Sequence, residues 1–418
     1  MSSIIEWPAA SADRGARTEP ARPRVIMAMI GNRQHYQPMK SAFENGSLAR
    51  FITDFWLQPG SPLRKYADLL SPGKKEIVKT RFGAELKHAD VVALTGTGML
   101  QHLGLRMKSS RAWSYKVYAA AGRRFARHCV PYLDVPHTAY LGFTSAALEA
   151  LESENRSGIL TVLNQIDPAR IEEEIVFEEM QRHKSWVLHG QERIPRAYFE
   201  RVSAEWSAAK RIFVNSAWSK SALIQQGVPA QKIRVCPLAY KPAVAHAKHV
   251  SPRGARLRVL WLGTLCLRKG IVYAVEAARR LADQPIDFTL VGPNEVRLPA
   301  LPANCTYADR IPRSQIGALY SSHDIFILPT LSDGFALTQL EAMAHGLPVI
   351  ATSHCGEVVE DGVSGRIVPA RDSRSLAEAI VEIGGDSHKL EAMSHAALAR
   401  AGQFTPANVW HTYQSHLI

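Results

Sequence analysis

The stretch Ser332 to Ala351, with the apolar run ahead of it, narrows the fold more than any other part of the chain. Residues Ile325 to Leu328 are apolar without alternation, as in a strand covered on both faces of a parallel sheet. Asp333-Gly334 then supplies a turn and a cap, and Leu337 to Ala344 follow helical spacing. Gly346 closes that helix, and Pro348 forbids its continuation before Val349-Ile350-Ala351 begins the next strand. Strand, turn, helix, stop and strand make the repeating unit of an α/β fold. The helix begins where the strand ends, the place where open parallel sheets bind ligands.

Within that helix, Leu337, Leu340, Glu341 and Ala344 share one face, so a carboxylate points where the apolar side chains point. Glu341 therefore meets either a polar cleft or an internal partner. The helix start presents backbone N–H groups and the positive end of its dipole, a seat for phosphate at Gly334, Phe335, Ala336 and Leu337. Arg268 and Lys269 stand before Gly270 at the start of another predicted helix, after the strand Arg258 to Gly263. Two cations at a helix N-terminus oppose its dipole unless an anion joins them, so they read as a diphosphate site or as a solvated basic turn. Gly263, Thr264 and Gly292 lie in turns at the same ends of neighbouring strands.

This arrangement resembles the family 4 glycosyltransferases, whose acidic signature is two Glu separated by seven residues; Asp333 and Glu341 occupy those places, Asp333 being one methylene short. In that family the second acid holds the nucleotide ribose and the first contacts the transferred sugar, which falls on Glu341 and Asp333. Its members carry a Lys before the helix glycine and an Arg soon after the strand glycine, both on the donor diphosphate. Lys269 matches the first, Thr264 stands at the place of the second, and Arg268 is positioned to supply the missing charge. The segment Thr352 to Pro369 also resembles the family's closing segment. The family often uses a histidine at a strand end of its first domain, which makes His137 a catalytic candidate.

The resemblance implies the GT-B architecture, two Rossmann-like domains facing a central cleft. The corresponding division is a tail over 1–22, an acceptor-binding domain over 23–238, a linker over 239–257, a nucleotide-sugar-binding domain over 258–402 and a terminal helix over 403–418 crossing back to the first domain. A length of 418 residues with 46% hydrophobic content supports two cores. The first domain opens as strand, helix and strand from Arg24, with His35 in the loop after the first strand. A strand and turn are expected within Val130 to His137, and a strand over Gly158 to Asn164, after which Asn164, Gln165 and Asp167 form either an acceptor site or only a turn.

The resemblance further implies transfer of a hexosyl unit from a UDP- or GDP-sugar to a glycan or lipid-linked acceptor, with retention, in cell-surface polysaccharide or glycolipid synthesis. No cofactor beyond the donor substrate is expected, and the sequence has no DxD triplet for a metal. The departures at Asp333 and Thr264 keep a non-catalytic sugar-nucleotide-binding or scaffold subunit open, and GT-B nucleotide-sugar epimerases share the architecture. Five scattered cysteines without CxxC spacing argue against a disulfide framework or a zinc site. No apolar run reaches the ~18 residues that a membrane span needs. Met1 to Pro23 has no signal-peptide core, so the expected setting is cytoplasmic, with peripheral contact at the inner membrane face. Of the net charge of +12, residues 61–130 carry +10, from 14 Lys/Arg against 4 Asp/Glu. There Arg106, Lys108, Arg111, Lys116, Arg123, Arg124 and Arg127 alternate with Trp113, Tyr115, Tyr118 and Phe125, which suits an anionic membrane surface or a solvated helix face. No nucleic-acid-binding module accompanies the charge.

Overall fold

The structure is a computed structural model that describes residues 22–57, 81–107, 110–188, 192–241 and 256–418. The predicted tail over 1–22 therefore falls outside the described residues but for Arg22, and the predicted linker over 239–257 does so from 242 to 255, as does part of the basic region.

The first half alternates strand and helix: β1 (Val25–Met29), α1 (Gln37–Glu44), β2 (Leu48–Thr53), β3 (Val91–Ala93), α2 (Thr95–Met107), α3 (Arg111–Cys129), β4 (Ala139–Phe143), α4 (Leu148–Arg156), β5 (Leu160–Gln165), α5 (Arg170–Arg182), α6 (Arg196–Ala208), β6 (Arg211–Val214), α7 (Ala217–Gln225) and β7 (Ile233–Val235). These strands form one sheet in the order β3-β2-β1-β4-β5-β6-β7, every pair parallel. The second half continues with β8 (Leu257–Leu262), α8 (Ile271–Arg280), β9 (Ile286–Val291), β10 (Cys305–Ala308), α9 (Arg313–Ser321), β11 (Ile325–Leu328), α10 (Leu337–Ala344), β12 (Val349–Thr352), β13 (Gly365–Val368), α11 (Ser373–Gly384), α12 (Ser387–Ala401) and α13 (Pro406–Ser415). Its sheet runs β10-β9-β8-β11-β12-β13, again parallel throughout. Both orders reverse beside the first strand of the sheet, which opens a crevice at the carboxyl ends.

Each sheet is buried on both faces, which is why its central strands read as unbroken apolar runs. The last helix, α13, returns to the first sheet: Val409, Trp410 and Tyr413 pack with Val25, Met27 and Phe213. The segment after β5 crosses the other way. Trp186 joins the core of the second sheet, Tyr273 donates to Glu179 Oε1 at 2.5 Å, and Arg371 Nε donates to Glu179 Oε2 at 2.9 Å.

Val130 to Tyr132 is a single 3₁₀ turn, not the predicted strand; Pro131 has no N–H to give a ladder. The strand there is β4, four residues beyond Val135. It contains Gly142, where an added Cβ would sit 2.6 Å from the Ala147 Cβ at the entry to α4. That glycine weakens the strand signal in the sequence, yet packing requires it. The edge strand β10 was also not anticipated, because Thr306 and Tyr307 leave no buried apolar run.

Among the described residues, no helix is long and apolar enough to cross a membrane.

Candidate functional site

The loops after β8 and β11 meet at the point where the second sheet reverses order. Thr330 Oγ1 and Leu331 N donate to the carbonyl of Arg268, at 3.1 and 2.8 Å, which fixes the basic loop against the one that follows β11. Arg268 Nη1 in turn donates to Ser332 O at 2.9 Å and to Asp333 Oδ2 at 3.1 Å, and Lys269 forms an ion pair with the same oxygen. The other oxygen, Oδ1, accepts from the N–H groups of Phe335 (3.2 Å) and Ala336 (2.9 Å). Burial alone would raise the Asp333 carboxyl. Lys269 and Arg268 outweigh it and, with the hydrogen bonds, hold the group far below the usual carboxylate range.

This arrangement changes two sequence expectations. The anion facing Arg268 and Lys269 is a side chain of the chain itself. The Phe335 and Ala336 N–H groups, read both as a phosphate seat and as a helix start capped at Asp333-Gly334, are taken by the cap. A group that bonds this seat must therefore compete with Asp333. Beside it, the Thr338 hydroxyl oxygen is buried without a hydrogen-bond partner. Leu337 packs partly buried against the core beneath the helix.

Glu341 finds the internal partner that its position on the apolar face required: Tyr320 donates its hydroxyl to Oε2 at 3.0 Å. Burial raises the Glu341 carboxyl, while the Tyr320 bond and nearby Arg313 oppose the rise. Gly263 and Gly292 lie against each other at the ends of β8 and β9. A Cβ on Gly292, whose φ is +136°, would fall 1.8 Å from Gly263 O. Thr264 is half-buried in the turn between them and Leu265, whose N–H donates to Pro293 O at 2.8 Å.

The first domain closes on this seat. A Cβ on Gly334 would lie 1.9 Å from Ile166 O, so a glycine is required for the backbones to approach this closely. Ser332 Oγ donates to Glu172 Oε2 at 3.0 Å and lies 3.2 Å from Trp218 Nε1; Trp218 stacks on His354 with ring centroids 4.0 Å apart. Glu357 of the second domain accepts from Ala217 N and Trp218 N at the start of α7, at 3.0 and 3.3 Å. Arg313 Nη1 lies 2.8 Å from His35 Nε2 across the cleft. Glu172 is also 3.7 Å from Arg268. Burial pushes its carboxyl up to about 7, with Arg268 opposing and Asp167 and Asp333 adding to the rise.

Not every sequence candidate reaches the cleft. His137 precedes β4 and so lies at the amino end of the sheet. Its Nδ1 is 2.7 Å from Val135 O and its Nε2 3.0 Å from Glu154 Oε2, with both side chains of the pair almost fully enclosed. It is a structural pair at the far end of the sheet from the cleft, and not the catalytic group expected from the sequence. Asn164 and Gln165 are fully buried. Asn164 Nδ2 donates to the Tyr413 hydroxyl at 2.9 Å, and Gln165 Oε1 accepts from Thr144 and Trp206 at 2.7 and 2.8 Å. Asp167 accepts from Ala169 N at 2.9 Å and shapes the turn into α5.

The sequence reading missed the groups that reach the seat from the first domain, Glu172 and Trp218, and the edge-on stack of Tyr115 on Tyr198 at 4.8 Å. Only Glu172 had a local signal, its place in the first turn of the helix after β5. Among the described residues, no group of three or more His, Cys, Asp or Glu could hold a metal ion.

Residues 256–386 match the family model described as Glycosyl transferases group 1. WcaL of Salmonella typhimurium, which carries the name of a colanic acid biosynthesis glycosyltransferase, is 30% identical over 193 residues, 42% of this chain and 47% of WcaL. The amylovoran biosynthesis glycosyltransferase AmsK of Erwinia amylovora is 31% identical over 179 residues, 38% of this chain and 44% of AmsK. The chain thus spans about half the length of the curated relatives it matches. The structure of HepE from Anabaena, solved in complex with UDP and glucose, superimposes with a TM-score of 0.61 over 94% of this chain and 99% of HepE, at 16% identity. A sucrose-phosphate synthase from Thermosynechococcus elongatus does so with a TM-score of 0.61 over 94% of this chain and 98% of its own, also at 16% identity. The fold is GT-B.

Proposed function

We propose that the chain is a glycosyltransferase that moves a hexosyl unit from a nucleotide sugar, a UDP- or GDP-sugar, to a glycan or lipid-linked acceptor in polysaccharide or glycolipid synthesis. The observation that carries this reading is the Arg268, Lys269 and Asp333 cluster at the head of α10, with Glu341 further along the same helix. The family-model match over this domain and the names of the relatives support it.

In this reading the donor diphosphate takes Arg268 and Lys269 from Asp333. The freed carboxylate accepts from a hydroxyl of the sugar, and Glu341 exchanges the Tyr320 hydroxyl for those of the ribose. The acceptor enters beside Asp167, Glu172, Tyr115 and Tyr198. Its oxygen bonds to the anomeric carbon as the bond from that carbon to the diphosphate oxygen breaks. The hydroxyl proton passes to the departing oxygen, and the configuration is retained. Negative charge grows on the diphosphate during this step, so cations already fixed in place stabilise the transition state more than the ground state. The protein's own cations perform that task without a metal.

The test is turnover of UDP- and GDP-sugars with and without acceptor. Transfer that is lost in Lys269→Ala and in Glu341→Ala, with cooperative melting retained, is the expected result. Undiminished transfer in both variants overturns the site, and an isomeric nucleotide sugar formed from donor alone identifies an epimerase instead.

A further inference from the structure

Helix α2 leaves its apolar side chains in the open. Met99, Leu100, Leu103 and Met107 expose 61%, 51%, 52% and 72% of their surface; the other large apolar side chains exposed among the described residues are scattered singly. At 100° per residue these four fall within an arc of about 100°, one continuous stripe along the helix. The side next to it, beyond Leu100, is pinned, since Trp113 Nε1 of α3 donates to Gly104 O at 2.7 Å and Thr97 is buried. The stripe therefore faces outward by construction.

The charge that α2 and α3 themselves carry has one sign, with Glu192 at the start of α3 and Glu149, 3.9 Å from Arg127, the acids that approach them from other elements. Neither α2 nor α3 contains an acid, while Arg106, Lys116, Arg123, Arg124 and Arg127 are exposed along them. Arg106 borders the apolar arc directly. A helix of low hydrophobicity with an apolar stripe and cationic flanks is matched to the boundary between headgroups and acyl chains. A protein partner would have to answer the cations singly, whereas an anionic bilayer answers all of them at once. The position also fits: α2 starts at the carboxyl end of β3, the end at which parallel sheets bind ligands, and Tyr115 of α3 packs edge-on against Tyr198 of α6.

We propose that α2 and α3 form the surface by which this protein docks on an anionic lipid bilayer, with Met99, Leu100, Leu103 and Met107 entering the interface and the cations of α3 meeting headgroups. The proposal rests on the proposed function only for its purpose, the delivery of a lipid-linked acceptor. Docking itself is read without sugar transfer, so the failure of one is distinguishable from the failure of the other.

The experiment is flotation of the full chain with phosphatidylcholine vesicles, with and without phosphatidylglycerol. Binding is expected to the anionic vesicles and to be weak with phosphatidylcholine alone. The double variant Leu103→Glu, Met107→Glu is expected to lower the bound fraction about tenfold or more. The triple variant Arg123→Gln, Arg124→Gln, Arg127→Gln should lower it several-fold on anionic vesicles only. All these positions are exposed, and unchanged circular dichroism confirms the fold of each variant. Equal binding by wild type and the double variant overturns the proposal, as does binding indifferent to phosphatidylglycerol. No vesicle binding, together with a dimer that the double variant dissociates, overturns it in favour of a second copy on this face.

Discussion

The two sheets share a strand order, yet the loops at their carboxyl ends spend their polar groups differently. At the end of β5 of the first sheet, Asn164 and Gln165 are consumed by Tyr413, Thr144 and Trp206, and Glu205 Oε2 and Oε1 accept from Ser145 N and Ala147 N, at 2.7 and 3.0 Å, after β4. After β8 and β11 of the second sheet, Arg268, Lys269 and Asp333 are bound mainly to one another, at the mouth of a crevice. Exchanging a buried neutral bond strands a polar group, whereas an ion pair at a cleft can exchange one anion for another. The first set therefore holds the fold, and the second is free to meet a ligand.

Substitutions on the two sides should separate along that line. The largest effect is expected from Lys269→Ala, which removes a fixed cation from the growing charge: about 100- to 1000-fold in kcat/KM, measured by steady-state kinetics, with little loss of melting temperature. Gly334→Ala comes next. Its new Cβ collides with Ile166 O and holds the domains apart, so kcat/KM falls about 10- to 100-fold, and the effect should be smaller on nucleotide affinity than on transfer. Glu341→Gln weakens a hydrogen bond to a charged group and should raise the donor Kd about tenfold, read by titration calorimetry.

On the first sheet the order reverses. Asn164→Ala frees the Tyr413 hydroxyl beneath α13 and should cost about 1–2 kcal/mol in urea unfolding, with donor affinity unchanged. The smallest effect is the pH dependence set by Glu205. Burial raises its carboxyl to about 7 from an ordinary 4.5, against N–H bonds from Ala147 and Ser145 and the charge of Arg201. The folded state then holds a proton that the unfolded state has lost, so stability is fullest below about 4.5 and declines as pH rises toward about 7. Glu172 acts in the same direction. Glu205→Gln should flatten that decline, and an unchanged slope of unfolding midpoint against pH would remove Glu205 as its source.

The same contrast explains what the sequence disclosed. In the second domain the strand, the turn at Asp333-Gly334, the helix and its stop are contiguous, so local spacing was enough to lay out the elements and to put Glu341 on the apolar face, while leaving open whether it met a cleft or the internal partner it has in Tyr320. Asp333 was legible as the cap of that helix; its pairing with Arg268 and Lys269 was not, because the two cations arrive from a loop 64 residues earlier. In the first domain the groups that contact the seat, Glu172 and Trp218, come from two helices that only the folded sheet brings together. His137 misled because its rank near a strand says nothing of which end it occupies. It precedes β4, and the cleft lies beyond the strand's other end.

The central claim is that Arg268 and Lys269 exchange Asp333 for a donor diphosphate. Titration calorimetry of the full chain with UDP, GDP, ADP and their sugar conjugates tests it most directly. The account predicts binding of one nucleotide family, weakened at least about tenfold in Lys269→Ala and, by contrast, tighter for the free diphosphate in Asp333→Asn, where the competing anion is gone. Binding that is absent for every nucleotide, or equal in wild type and Lys269→Ala, would contradict it.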